Sequence, residues 1–278
     1  MTDNRPTTGR TIAGGGGTGL YVEETGRADG RPILFIHGFN QCRLVWTKQT
    51  RSALADRFRL VTFDNRGHGL SDKPHDAYGD SRLWADDVAA VIEALRLDKP
   101  VLVGWSYAGL IILDYLRHYG ENNIAGVNLV GTRSCVGTPA AIAATGKDYL
   151  PLRPLLFSAD AAESAAGLEK FIKLCTFRPL PPEEYYFFLG FNAVVPPYVR
   201  QGLMNRALDN DDLLPTLRKP FLVTHGLEDA VILPGHGADN AARLQSARTS
   251  FYPDAGHNTF WENPARFNRE LRAFASSL

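Results

Sequence analysis

Gly104-Trp105-Ser106-Tyr107-Ala108-Gly109 lies between a short apolar run, Pro100 to Val103, and an amphipathic stretch, Gly109 to Tyr119. A strand, a serine and a helix in that order, with small residues on both sides, form a nucleophile elbow. The turn holds the serine backbone in a strained conformation, and only small neighbours avoid the adjacent strand and helix. The strain lifts the hydroxyl out of the sheet and aims the helix N-terminus at a developing oxyanion.

Outward from the elbow, strands and helices alternate. Ile33 to Ile36 reads as a strand ending at His37-Gly38, Lys48 to Asp56 as helical, and Leu60 to Phe63 as a strand ending at Asp64. Leu83 to Leu95 has helical spacing, with Leu83, Val88, Val91, Ile92 and Leu95 on one face. Val101 to Val103 precedes the elbow and Ile124 to Val130 is the strand after its helix. Residues 134–214 contain no convincing strand but many Ala, Leu, Phe, Tyr and Pro, so they read as a helical insertion. Alternation resumes with a strand at Phe221 to Thr224, a helix at Ala238 to Leu244, a strand at Arg248 to Tyr252 and a closing helix from Pro264 to Phe274. Repeated β-α units predict an α/β fold with a mostly parallel sheet and helices on both faces. Ligands bind such sheets at the carboxyl ends of strands, which the insertion should roof as a lid. The expected organisation is therefore a core of residues 20–133 and 215–278, a lid of 134–214 and a flexible leader of 1–19. The glycine run Gly14 to Gly17 lacks a following Lys-Ser/Thr and leads into a strand, so it does not read as a phosphate loop.

Composition bounds the partners. The chain has 278 residues, 44% hydrophobic and 22% charged, with thirty basic residues balancing thirty acidic ones. No net field gathers nucleic acid or anionic lipid, and no apolar run approaches a membrane span. The three cysteines, Cys42, Cys135 and Cys175, are far apart and lack a C-x-x-C pair, which predicts reduced, buried thiols in a cytoplasmic protein.

A serine hydroxyl needs a histidine to take its proton, and the histidine needs a carboxylate to fix its tautomer. On this kind of sheet the acid and base follow the serine in that order. Downstream of Ser106 one acidic pair, Glu228-Asp229, directly follows a strand, and the next strand ends in Asp254-Ala255-Gly256-His257-Asn258. Three side chains would then converge at one edge of the sheet. Either carboxylate of the pair satisfies that reading.

From about residue 20 to its end the chain resembles the α/β-hydrolase fold family. The likeness is carried by His37-Gly38-Phe39, by Asp64-Asn65-Arg66-Gly67-His68-Gly69-Leu70-Ser71-Asp72-Lys73-Pro74, by the elbow, by His225-Gly226-Leu227-Glu228-Asp229 and by Ala255-Gly256-His257. It implies Ser106 as nucleophile, Asp229 rather than Glu228 as acid, His257 as base, and the backbone N–H groups of Phe39 and Tyr107 as oxyanion hole. Two departures stand out. Ala108 replaces the usual second glycine, and Asn40 replaces the usual proline, which should reshape the loop or add a donor to the pocket. Asp64 should brace the Arg66-Gly67-His68-Gly69 turn. His37 and His68 read as scaffold, His75, His118 and His236 as surface residues, and His225 as a buried strand-end histidine. No metal or dinucleotide signature is present, so no cofactor is expected.

In the lid, Tyr185, Tyr186, Phe187, Phe188, Phe191 and Tyr198 are candidates for lining a pocket, with Trp105, Phe39 and Tyr107 near the serine and Leu203 and Met204 beside them. Without a basic cluster, the expected substrate is a small to medium, uncharged, largely apolar ester. The elbow and compact lid are most similar to small carboxylesterases and cofactor-free haloperoxidases (perhydrolases). The same residues also suit lactone or carbon–carbon cleavage, and a binding reading survives because some family members are small-molecule receptors that keep the triad. A serine at the elbow excludes chemistry that needs a carboxylate nucleophile there.

Overall fold

Along Arg31–Ile36, Ile33 and Phe35 enter one apolar cluster while Leu34 and Ile36 enter another on the opposite face. That two-residue alternation is what a strand buried on both faces produces. In the computed structural model, which describes residues 7–278, this strand is β3 of ten. The others are β1 (Thr8–Ala13), β2 (Gly19–Gly26), β4 (Phe58–Phe63), β5 (Val101–Trp105), β6 (Gly126–Val130), β7 (Cys135–Val136), β8 (Leu208–Asp209), β9 (Phe221–Gly226) and β10 (Ala247–Tyr252). Eight form one sheet in the order β1-β2-β4-β3-β5-β6-β9-β10. Pairing is parallel from β4 through β10 and antiparallel at β1, β2 and β4. Helices Ser81–Ala94 and Ala108–Tyr119 cover one face, and Pro264–Ser276 covers the other. This is the doubly wound architecture expected from the sequence.

Several local expectations are revised. Lys48 to Asp56 is not one helix but Thr47–Thr50 followed by a 3₁₀ turn, Ala53–Asp56. Ser52 interrupts it: its hydroxyl donates to the Gln49 carbonyl and accepts from the Leu54 N–H, offering the backbone an alternative to helix. The helix expected from Leu83 starts at Ser81, capped by the Asp80 carboxylate on the Arg82 N–H.

The leader is also corrected. Residues 1–6 lie outside the described residues, but Thr8–Ala13 forms an edge strand on β2, whose exposed backbone groups would otherwise lack partners. The glycine run is structural as well. The Gly15 N–H donates to Asp87 and its carbonyl accepts from Arg66, two side chains that form a buried bidentate pair.

The insertion leaves after β6 and returns at β9. It is mainly helical, with Ala161–Leu174, Pro182–Ala193 and Pro197–Met204 its longest helices. Contrary to expectation it contains strand: β7 and β8 pair antiparallel and close its neck. Two residues per strand are too few to show periodicity in sequence. Among the described residues no helix is long and apolar enough to cross a membrane, and all three cysteines are free and buried.

Candidate active site

Ser106 follows β5 with φ of 58°, left-handed for a residue with a Cβ. Such a conformation costs about 1–3 kcal/mol and persists only where surroundings enforce it. Here the Ser106 N–H donates to the Val130 carbonyl (2.9 Å) and the Gly109 N–H to the Ser106 carbonyl (3.0 Å). Helix Ala108–Tyr119 then starts against Thr132. A Cβ on Gly109 would lie 2.5 Å from Thr132 Cβ, so the small residue there is a packing requirement. Ala108 is fully buried and fits, so its departure from glycine costs nothing visible.

β5, β6, β9 and β10 are parallel neighbours, so the residues after them emerge on one edge. Asp229 follows β9 and His257 follows β10. His257 Nδ1 donates to Asp229 Oδ2 (2.7 Å), while Asp229 Oδ1 accepts from the N–H groups of Val231 (2.8 Å) and Ile232 (2.9 Å). A second imidazole reaches the same carboxylate: His225 Nε2 lies 3.1 Å from Asp229 Oδ2 and 2.9 Å from the Ile232 carbonyl. Burial alone would raise the Asp229 pKa. His257 and His225 outweigh it and hold the carboxyl well below its ordinary range. Glu228 is exposed, so of the acidic pair Asp229 is the one in contact with His257.

Trp105 ties this pair to the elbow. Its indole N–H donates to the His257 carbonyl (2.9 Å), and its ring lies 5.3 Å from the imidazole. With Nδ1 donating to Asp229, His257 Nε2 carries the lone pair, and this buried atom has no partner among the described residues. An imidazole so placed can accept a proton.

The loop after β3 closes on the serine. A Cβ on Gly38 would lie 2.9 Å from Ser106 Cβ, so only glycine allows this approach. Phe39 and Tyr107 both border the cavity at Ser106, and among the described residues neither backbone N–H donates to a protein acceptor. Asn40, at φ 59°, turns away from the pocket. Its Nδ2 donates to Asn192 Oδ1 (2.7 Å) and its Oδ1 accepts from Arg200 Nε (2.9 Å). Of the two outcomes expected for Asn40, the added pocket donor is not realised; the side chain fastens the loop to the lid.

The cavity over Ser106 measures only about 20 Å³, room for roughly one water molecule. Its lid wall is Val136, Tyr149, Phe171 and Met204, with Val231 and Arg133 completing it.

A model of the alpha/beta hydrolase family matches residues 33–270. The chain belongs to that family. It is similar to an esterase from Rhodococcus sp. ECU1013, with a TM-score of 0.91 at 35% identity over 97% of this chain and 99% of that one. It is 29% identical to a non-heme chloroperoxidase of Streptomyces lividans, covering 96% of this chain and 99% of the relative. A bifunctional esterase/perhydrolase of Acinetobacter calcoaceticus is 27% identical, with 94% of this chain and 97% of the relative covered.

Within this hydrolase the expected pocket residues are largely displaced. Trp105 is scaffold beneath His257, stacked edge-on against Phe260. Phe188 and Phe191 are buried on the core, with Phe188 4.8 Å from the Trp261 ring. Trp261 in turn donates to Glu184, so helix Pro182–Ala193 is bolted down through its aromatic face. Tyr185 and Tyr186 border a separate groove of about 550 Å³ that does not include Ser106. Tyr198 stacks on His75 and donates to the Lys73 carbonyl. Leu203 contributes its carbonyl to the Tyr107 hydroxyl; of the lid side chains expected from the sequence, Met204 alone reaches the cavity.

His236 is half-buried, not fully exposed as expected. Its Nε2 accepts from the Ser134 N–H (3.2 Å), and burial pushes its pKa down to about 4. As expected, Asp64 braces its turn, accepting from the N–H groups of Arg43 and Leu70 and from the Arg43 guanidinium. Nothing in the sequence signals Tyr149 or Phe171, which reach Ser106 only by the path of the lid, or Arg133, which is set beside Ser106 by the loop after β6.

Proposed function

We propose that this chain is a serine ester hydrolase working through an acyl-enzyme on small esters. The observation that carries the reading is the His257–Asp229 pair, oriented at Nδ1 and open at Nε2, one hydrogen bond from the residue preceding a strained elbow serine. In the mechanism Ser106 Oγ attacks the ester carbonyl as His257 Nε2 takes its proton. Asp229 stabilises the imidazolium, and the N–H groups of Phe39 and Tyr107 hold the oxyanion. The imidazolium then protonates the departing alcohol. Water, activated by the same histidine, attacks the acyl-serine and releases the acid. The tight cavity favours short acyl groups, and admission of substrate requires movement of the lid wall. The buried thiols suit a reducing compartment such as the cytoplasm.

Labelling with a fluorophosphonate followed by peptide mass spectrometry tests the nucleophile: the adduct is expected on Ser106. Ser106→Ala should lose on the order of 10⁶ in kcat. An adduct elsewhere, with Ser106→Ala still active, overturns the reading.

A second reading, perhydrolysis, draws on the likeness to the esterase/perhydrolase. Hydrogen peroxide, close to water in size, would replace it in the second step and yield a peracid.

A further inference from the structure

Among the described residues the strongly buried arginines, Arg66, Arg200 and Arg206, have their acceptors. Arg66 pairs with Asp87 and Arg206 with Asp114. Arg200, which has no acid, donates to Asn40, to the Leu156 carbonyl and to Ser164. Arg133 differs. It follows β6, is half-buried and borders the cavity that holds Ser106. Among the described residues its guanidinium makes no hydrogen bond and no ion pair. Its surroundings are Tyr149, Cys135, Asp229 and a second cation, Arg153. Asp229 is already saturated by two histidines and two backbone N–H groups. Burial pushes the Arg133 pKa down, Tyr149, Cys135 and Asp229 pull it back up, and Arg153 lowers it further.

A half-buried guanidinium beside the reacting serine, with no protein acceptor among the described residues, is free to take an arriving anion, and partial burial strengthens that attraction. A guanidinium presents two parallel N–H groups that match a carboxylate. We infer that the cleft at Ser106 selects an ester that also carries a carboxylate, which docks on Arg133. This revises the expectation of an uncharged substrate: a single arginine forms no basic cluster in sequence, yet one is enough when it borders the reacting serine. The inference rests on the serine esterase reading proposed above.

Two matched pairs test it. One places the charge on the acyl side, monoethyl succinate against ethyl butanoate; the other on the alcohol side, acetoxyacetate against propyl acetate. Hydrolysis is followed by acid release in a pH-stat. In at least one pair the charged ester should have kcat/KM about 10-fold or more above its neutral partner, a charge-assisted hydrogen bond being worth roughly that. Arg133→Gln should lower the charged-to-neutral ratio on the order of 10- to 100-fold, and Arg133→Lys should retain part of it, because lysine keeps the charge but not the fork. Should Arg133→Gln fail to fold, inhibition of the parent decides: succinate should compete with ethyl butanoate where succinamide does not. Neutral esters turned over as well as charged ones, with the ratio unmoved by substitution or with succinate no better than succinamide, overturns the inference alone. No turnover of any of the four esters, together with no fluorophosphonate adduct on Ser106, overturns the esterase reading instead.

Discussion

Ser106, Asp229 and His257 hang from the ends of β5, β9 and β10, while the residues that cover them come from a lid with only a two-strand neck. In the sheet, backbone hydrogen bonds hold neighbouring strands about 4.8 Å apart and give each strand end one position. In the lid, position depends on which aromatic finds which socket. Helix Pro182–Ala193 has aromatic residues around much of its circumference, and those that pack best turn toward Trp261 and away from the serine. The same residue types therefore carry different information in the two regions. A polar residue after a strand names its own place; an aromatic residue in a helical insertion does not.

Below the loss expected for Ser106→Ala, the next largest effect tests the sheet side of that contrast. Asp229→Asn should lower kcat by about 10⁴, leaving His257 without the carboxylate that fixes its tautomer. Glu228→Gln, exposed and one residue away, should stay within a few-fold. Steady-state kinetics on one short ester compares them, and equal losses would break the claim that strand register selects the acid.

The lid offers a smaller effect with a sharper distinction. Phe188→Ala should cost about 3–5 kcal/mol of stability in urea melts, as a buried aromatic does, with the acyl-length profile unchanged. Phe171→Ala should open the cavity wall and move the preferred acyl length upward, with discrimination altered about 10- to 200-fold. If Phe188→Ala shifts the profile and Phe171→Ala does not, the division between packing and lining aromatics is wrong.

The smallest effect spans both regions. Burial pushes His37 and His68, in the core loops, down to about 3, and His236, at the lid neck, to about 4. Free histidine titrates near 6.5. Between those values the unfolded chain binds up to three protons that the native state refuses. Stability from these groups is complete above pH 6.5 and falls as the pH drops, by about 1.4 kcal/mol per pH unit for each histidine. His225 runs the other way. Burial lowers its pKa but Asp229 raises it more, so its contribution is present below the unfolded value and lost as pH rises through the folded one. Thermal melts from pH 7 to 5 should show a falling Tm, and His236→Gln should make the fall shallower. A flat profile would show that these rings take up protons without unfolding.

The alternating pattern of strands and helices, the elbow and the order of serine, acid and histidine were legible in the sequence because each depends on local chemistry: side-chain period, small residues beside a tight turn, a carboxylate directly after a strand. Residue types alone left Glu228 and Asp229 open and the family resemblance implied Asp229; the loop's conformation leaves Glu228 exposed and turns Asp229 onto His257. The edge strand Thr8–Ala13 was not legible, since its pairing depends on β2 and not on its own mostly polar residues. Nor were the attachment of Asn40 to Asn192 and Arg200, or the meeting of Tyr149, Phe171 and Arg133 around Ser106. These residues lie some 25 to 160 positions from their partners, and no periodicity spans that distance. The amino-acid sequence by itself determined the family, the sheet and the candidate reacting side chains. Only the tertiary structure decided which lid residues face the serine, because long-range packing, not local pattern, sets where a helical insertion comes to rest.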